Sequence, residues 1–115
     1  MNIKEEFSTL IYFFKGYFNQ SVSWNDLDEL LMDFKESERE QLISLFLEEI
    51  QKLKQIYDNN DKKTWNAINV SVKENSMRYF RFDRAMEFIN QVKSVFIDKE
   101  VVYNVYSRMA SKQKM

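Results

Sequence analysis

Ser37-Glu-Arg-Glu-Gln-Leu-Ile-Ser-Leu-Phe-Leu-Glu-Glu-Ile-Gln-Lys-Leu-Lys-Gln-Ile-Tyr57 decides the class of fold. Ile43, Phe46, Ile50, Leu53 and Tyr57 recur at alternating spacings of three and four, which stacks them on one face of an α-helix. Ser37 and Glu40 have the spacing of a capping box, with a hydroxyl for the free amides and an acid three residues on. The pattern predicts a helix over 38–57. Asp58-Asn59-Asn60 then supplies residues that tolerate a left-handed helix end.

The same period extends in both directions. Upstream, Phe7, Leu10, Ile11, Phe14 and Phe18 fall on one face, and Tyr12, Phe13 and Tyr17 cover much of the rest. A helix apolar nearly all round packs on several sides, so this one is expected at the centre. Gly16, the only glycine, stands near its end, where a missing Cβ permits a bend or a close helix contact. Ser23-Trp24-Asn25-Asp26 forms another capping box, ahead of Leu27, Leu30, Leu31 and Phe34. Downstream, Asp61 can cap a helix through Trp65, Ile68 and Val72. Residues 70–82 are open between helix and an extended segment, because Met77-Arg-Tyr-Phe-Arg-Phe alternates. Asp83 can cap a helix with Ala85, Phe88, Ile89, Val92 and Phe96 on one face. Val101, Val102, Val105, Tyr106 and Met109 fit a short helix, with a strand left open by the β-branched content, and 111–115 should fray. The expected architecture is all-α: a single compact domain over 1–115, of four to six helices joined by short loops.

Composition narrows the chemistry. The 115 residues include no His, Cys or Pro. Without His or Cys, structural zinc sites, iron–sulfur ligation, thiol redox and Ser-His or Cys-His catalysis are excluded. One glycine cannot build a phosphate-cradling loop. Catalysis would be left to carboxylate, lysine or tyrosine, and no enzyme, metal or cofactor is expected. The absence of cysteine fits a reducing compartment. Residues 1–6 are acidic where a signal peptide is basic, and Lys15 interrupts the first apolar stretch, so a soluble cytoplasmic protein without membrane contact is expected.

The formal net charge is −1, unevenly spread. Residues 21–61 hold eleven acids and four bases, and residues 62–115 hold eleven bases and five acids. Such asymmetry marks either a partner-binding face or two halves that attract one another across the fold. The acidic run is not a calcium loop, since it lacks the central glycine and lies in a helix. A di-iron site is excluded because its Glu-x-x-His ligands need histidine. Arg78-Tyr79-Phe80-Arg81-Phe82 interleaves arginine with aromatics, a pattern that can stack bases. Aromatics so placed are more often core with the arginines snorkelling outward, and a sequence pI near 5.5 is low for a nucleic-acid binder.

Phe14, Tyr17, Phe18, Asn19, Gln20 and then Trp24 resemble the Phe-Phe/Leu-Gly-x-Tyr-Phe-x-Gln-Asp-Trp signature of the CdiI-type immunity proteins of bacterial contact-dependent growth inhibition systems. The likeness covers roughly 7–97, and only its first stretch is motif-like. Ser21-Val22-Ser23 lengthens the loop where the family has an acid, and Asn19 stands where His is common. The resemblance implies a cytoplasmic stoichiometric inhibitor of the C-terminal toxin domain of a cognate exoprotein, bound as a 1:1 complex, with no small-molecule substrate. Toxins of that family are frequently nucleases with basic clefts, which an anionic helix surface can plug. Asp26, Asp28, Glu29, Asp33 and Glu36 are then the expected electrostatic face, extended by Glu38 and Glu40. Trp24 is either an interfacial anchor or core. Tyr17, Asn19 and Gln20 are assigned to holding the loop. The alternative is a helical adaptor or regulator that binds nucleic acid through Arg78, Arg81 and Arg84.

Overall fold

The structure, a computed structural model, describes residues 2–113. Seven α-helices follow one another: α1 Ile3–Glu6, α2 Ser8–Gly16, α3 Leu27–Ser37, α4 Glu40–Asp58, α5 Lys62–Ser76, α6 Ala85–Ile97 and α7 Lys99–Gln113. Short 3₁₀ turns at Trp24–Asp26 and Phe82–Arg84 lead into α3 and α6. No strand occurs among the described residues. The all-α expectation holds, but the count exceeds the expected four to six. The additional helix is the single turn α1, set off from α2 where Phe7 leaves helical geometry (φ −123°, ψ 30°) to bury its ring.

α2 is the axis of the fold. Phe13 reaches Phe34 of α3 at 5.1 Å between ring centroids, Phe46 of α4 at 5.5 Å and Phe88 of α6 at 6.2 Å. Phe14 on the adjoining face meets Phe80 at 4.9 Å and Phe88 at 5.3 Å. Both side chains are wholly buried, as are Leu10 and Phe18. Each such burial contributes about 2–3 kcal/mol, so this helix anchors the bundle. Gly16 has open space where a Cβ would stand, so no close contact requires it.

The connections bear out some expected caps and overturn others. Ser23 and Asp26 form the capping box, and Asp61 Oδ1 accepts the Thr64 amide at 3.1 Å. Asn60 takes the left-handed conformation (φ 53°) that ends the α4 turn. The expected cap at Ser37 does not form. α3 continues through Ser37, and α4 begins two residues beyond the expected start, with Arg39 at its cap position making no side-chain cap. Asp83 caps nothing either, because it lies inside the 3₁₀ turn before α6. The ambiguous stretch divides in two: helix through Ser76, then an extended run from Arg78 after Met77 turns left-handed. α7 is a helix, not a strand. It is helical through Ser111 to Gln113, where Lys112 meets Glu29; residues 114–115 of the tail expected to fray lie outside the described residues.

One acid serves the core. Glu49, only 5% exposed, turns from α4 to the start of α2, where its carboxylate accepts the Leu10 amide at 2.9 Å and the Thr9 amide at 3.3 Å. Phe7, the cap residue of α2, makes no side-chain cap, so Glu49 satisfies two of the four free amides from outside the helix. Burial pushes the Glu49 carboxyl above its ordinary value, against the opposing pull of those two amides. The folded state therefore holds this proton more tightly than the unfolded chain. Glu49's contribution to stability then falls as pH rises from the ordinary value of 4.5 through the raised one. Urea titrations of wild type and Glu49→Gln are expected to diverge with pH in that window alone. Glu49→Leu, which strands both amides, is expected to lose about 2–3 kcal/mol at neutral pH.

Candidate functional site

The expected acidic face lies on α3 and the turns flanking it, but most of its carboxylates are engaged within the chain. Asp26 accepts the Ser23 amide at 3.3 Å as the return half of the capping box. Asp28 receives Arg108 of α7 at 2.6 Å. Glu29 receives Lys112 at 2.8 Å on both oxygens and lies 3.6 Å from Arg108 Nε. Glu36 accepts the Tyr106 hydroxyl of α7. Glu38 accepts two phenols, Tyr12 at 2.9 Å and Tyr17 at 2.5 Å. These bonds raise the Tyr12 phenol above its ordinary value, and Tyr17 is pushed up to about 12, chiefly by burial and then by the bond to Glu38. Asp33 and Glu40 are exposed and pair with no cation among the described residues. The acidic and basic halves thus attract one another across the fold at Asp28 and Glu29, and a narrower anionic surface remains around Asp33, Glu36 and Glu40.

α7 is what narrows it. Among the described side chains of α7 only Val105 is buried, with Val101, Val102 and Met109 packed partly against the core. Exposed ion pairs contribute about 0–1 kcal/mol each and weaken with salt. A helix held by a thin apolar strip and such pairs opens more readily than one buried all round.

The arginine–aromatic stretch has a structural task. Arg78, expected to point outward, is 9% exposed and reaches into the α2–α3 loop. Its Nε donates to the Phe18 carbonyl at 3.0 Å, and Nη2 donates to the Asn19 carbonyl at 2.8 Å and to that of Val22. The guanidinium also lies over the Phe18 ring, 4.0 Å from its centroid. Burial, with Arg84 adding its charge, draws the Arg78 guanidinium below its ordinary value, and it stays charged at neutral pH. Arg84 covers Trp24 at 4.5 Å and pairs with Glu87 at 2.6 Å. Of the three arginines, only Arg81 is exposed without a partner among the described residues. Arg78 and Arg84 meet at the Trp24 ring, 5.9 and 4.5 Å from its centroid. Trp24 is half-buried between Phe18, edge-on at 4.9 Å, and Arg84, so it packs and is not a free anchor. Asn19 holds the loop, accepting the Ser21 amide at 3.0 Å, and the Gln20 amide donates to the Ser76 carbonyl at 3.2 Å.

Both buried charges left a trace in the sequence. Glu49 stands three residues after Phe46 and four before Leu53, on the apolar face of its helix. Arg78 stands two before Phe80, on the same side of an extended chain. No group of three or more acidic side chains converges to hold a metal among the described residues, and no helix there is long and apolar enough to cross a membrane. No protein-family model, curated protein or solved structure matches the chain.

Two measurements probe this arrangement. Arg78→Met keeps the stem but strands the Asn19 and Val22 carbonyls, and is expected to destabilise by about 3 kcal/mol in urea unfolding. Amide hydrogen exchange is expected to be faster in α7 than in α2 or α4. Raising salt from about 0.05 to about 0.5 M, which shortens the screening length, should speed α7 exchange several-fold and leave α4 unchanged.

Proposed function

We propose that this protein is a stoichiometric inhibitor, an immunity protein. Its partner is the basic toxin domain at the C-terminus of a contact-dependent growth inhibition exoprotein, held as a 1:1 complex in the cytoplasm. The observation that carries the reading is the way α3 receives α7: its acids accept arginine and lysine at 2.6–2.8 Å, while Asp33 and Glu40 beside them face solvent unpaired among the described residues. A basic cleft would extend the same pattern of contacts onto those free carboxylates. The loop that carries the family-like Tyr17-Phe18-Asn19-Gln20 and Trp24 supports the reading as scaffold, because it joins the central helix to α3.

An inhibitor of this kind needs an interface of ~1,600 Å² and nanomolar affinity, ~−12 kcal/mol. Co-expression with the C-terminal region of the protein encoded immediately upstream is the test. Growth arrest by that region alone, relieved as a 1:1 complex forms, is the expected result; no complex and no rescue would overturn the proposal. Asp33→Lys with Glu40→Lys is expected to slow association about tenfold at low salt and to leave the urea midpoint within error of wild type.

A further inference from the structure

The end of α5 carries a surface that neither the core nor the acidic face explains. Val70, Met77 and Tyr79 are 48%, 64% and 57% exposed. Val70 and Lys73 share a face of α5, Met77 stands at its end, and Lys73 Nζ lies 4.6 Å from the centroid of the Tyr79 ring. Tyr79 and Arg81 line an open hollow of about 370 Å³ beside it. Lys63, Lys73 and Arg81 find no carboxylate among the described residues, and Glu74, the acid of this turn, lies 3.7 Å from Lys4 of α1. Three apolar side chains are therefore set among three unpaired cations.

Met77 adds an independent observation. It ends α5 in the left-handed conformation (φ 61°, ψ 15°), its amide donating to the Lys73 carbonyl at 2.9 Å. Helices that end this way usually place glycine there, since a Cβ makes the conformation unfavourable. The turn itself is needed, because it sends Arg78 inward to the α2–α3 loop. Glycine would make the same turn with less strain, so the turn does not account for a large apolar side chain held out in water. Strain retained at an exposed position points to a use for the side chain.

We propose that Val70, Met77 and Tyr79, rimmed by Lys63, Lys73 and Arg81, form a second docking surface that takes an acidic amphipathic segment of a partner protein. Methionine's flexible thioether adapts to an apolar ridge, and the cations meet carboxylates on its flanks. Charge complementarity selects this occupant. A nucleic acid fits less well, because Arg78 and Arg84 of the same stretch are engaged within the chain. The surface is independent of the acidic face on α3 and of the toxin-binding proposal.

The test is an NMR titration of the isotope-labelled full chain with a synthetic amphipathic peptide. The peptide carries leucine at i, i+3, i+4 and i+7 and glutamate elsewhere. Expected are amide shifts confined to residues around 70–81, affinity that falls with salt, and about a tenfold or greater loss on Lys73→Glu. Met77→Gly is expected to raise the urea midpoint while weakening the peptide by a similar factor, a combination that a purely structural residue does not produce. The proposal is overturned by shifts elsewhere or none, by Met77→Gly leaving affinity unchanged, by single-stranded oligothymidylate moving these amides when the peptide does not, or by sedimentation showing that the patch pairs two copies of the chain.

Discussion

The helix that supplies rings to α3, α4 and α6 must be held in place at both ends, and α2 has one buried charge at its start and another on the loop that follows it. The Glu49 carboxylate takes the free amides of Thr9 and Leu10 at its start. Just beyond its last turn, the Arg78 guanidinium takes the carbonyls of Phe18 and Asn19. The anion at the amide end suits the helix dipole, and the carbonyls that Arg78 holds belong to the loop after the C-cap Tyr17. Among the described residues neither charge forms an ion pair with the other or with a neighbouring side chain. Among the described residues, no buried side-chain nitrogen or oxygen is left without a partner. Because Glu49 belongs to α4 and Arg78 follows α5, holding the start of α2 and the loop after it also fixes where those elements lie.

The remaining charges sort by distance from that core. On α3, Asp28 and Glu29 meet Arg108 and Lys112, so the two oppositely charged halves of the chain partly neutralise one another through α7. Glu38 binds Tyr12 and Tyr17 and fastens the α3–α4 corner to the central helix. Among the charged groups left facing solvent are two sets: the carboxylates Asp33 and Glu40, and the cations around Met77 and Tyr79. One suits a basic partner and the other an acidic one, so a chain of net charge −1 presents two surfaces of opposite preference.

Legibility followed the range of the interaction. The 3.6-residue period located the helices, and the local caps at Ser23 and Asp61 and the left-handed Asn60 formed as their residue types suggest. Ser37 and Asp83 have equally good capping chemistry and do not cap. At Ser37, α3 continued one turn further to place Phe34 against Phe13 and Glu38 beneath two tyrosines, and that packing outweighs a cap of about 1 kcal/mol. Asp83 falls inside a 3₁₀ turn, with Phe82 stacked on Tyr57 at 4.9 Å. The acidic face was legible as a run of charge, but not as one that α7 would cover.

The residues alone settle that this is a helical protein, built on a helix whose aromatic side chains are too many to leave in water. It also excluded histidine, thiol and phosphate-loop chemistry, because those follow from residue type and short-range spacing. The tertiary structure alone decided which charges are available. Arg78 and Arg81, or Glu49 and Glu40, are the same residue types, and one of each pair is consumed inside the fold while the other faces solvent. Whether a charged side chain meets a partner depends on groups as many as 83 positions away in the chain. Helical period carries no record of that distance, because it reports only which face a residue occupies.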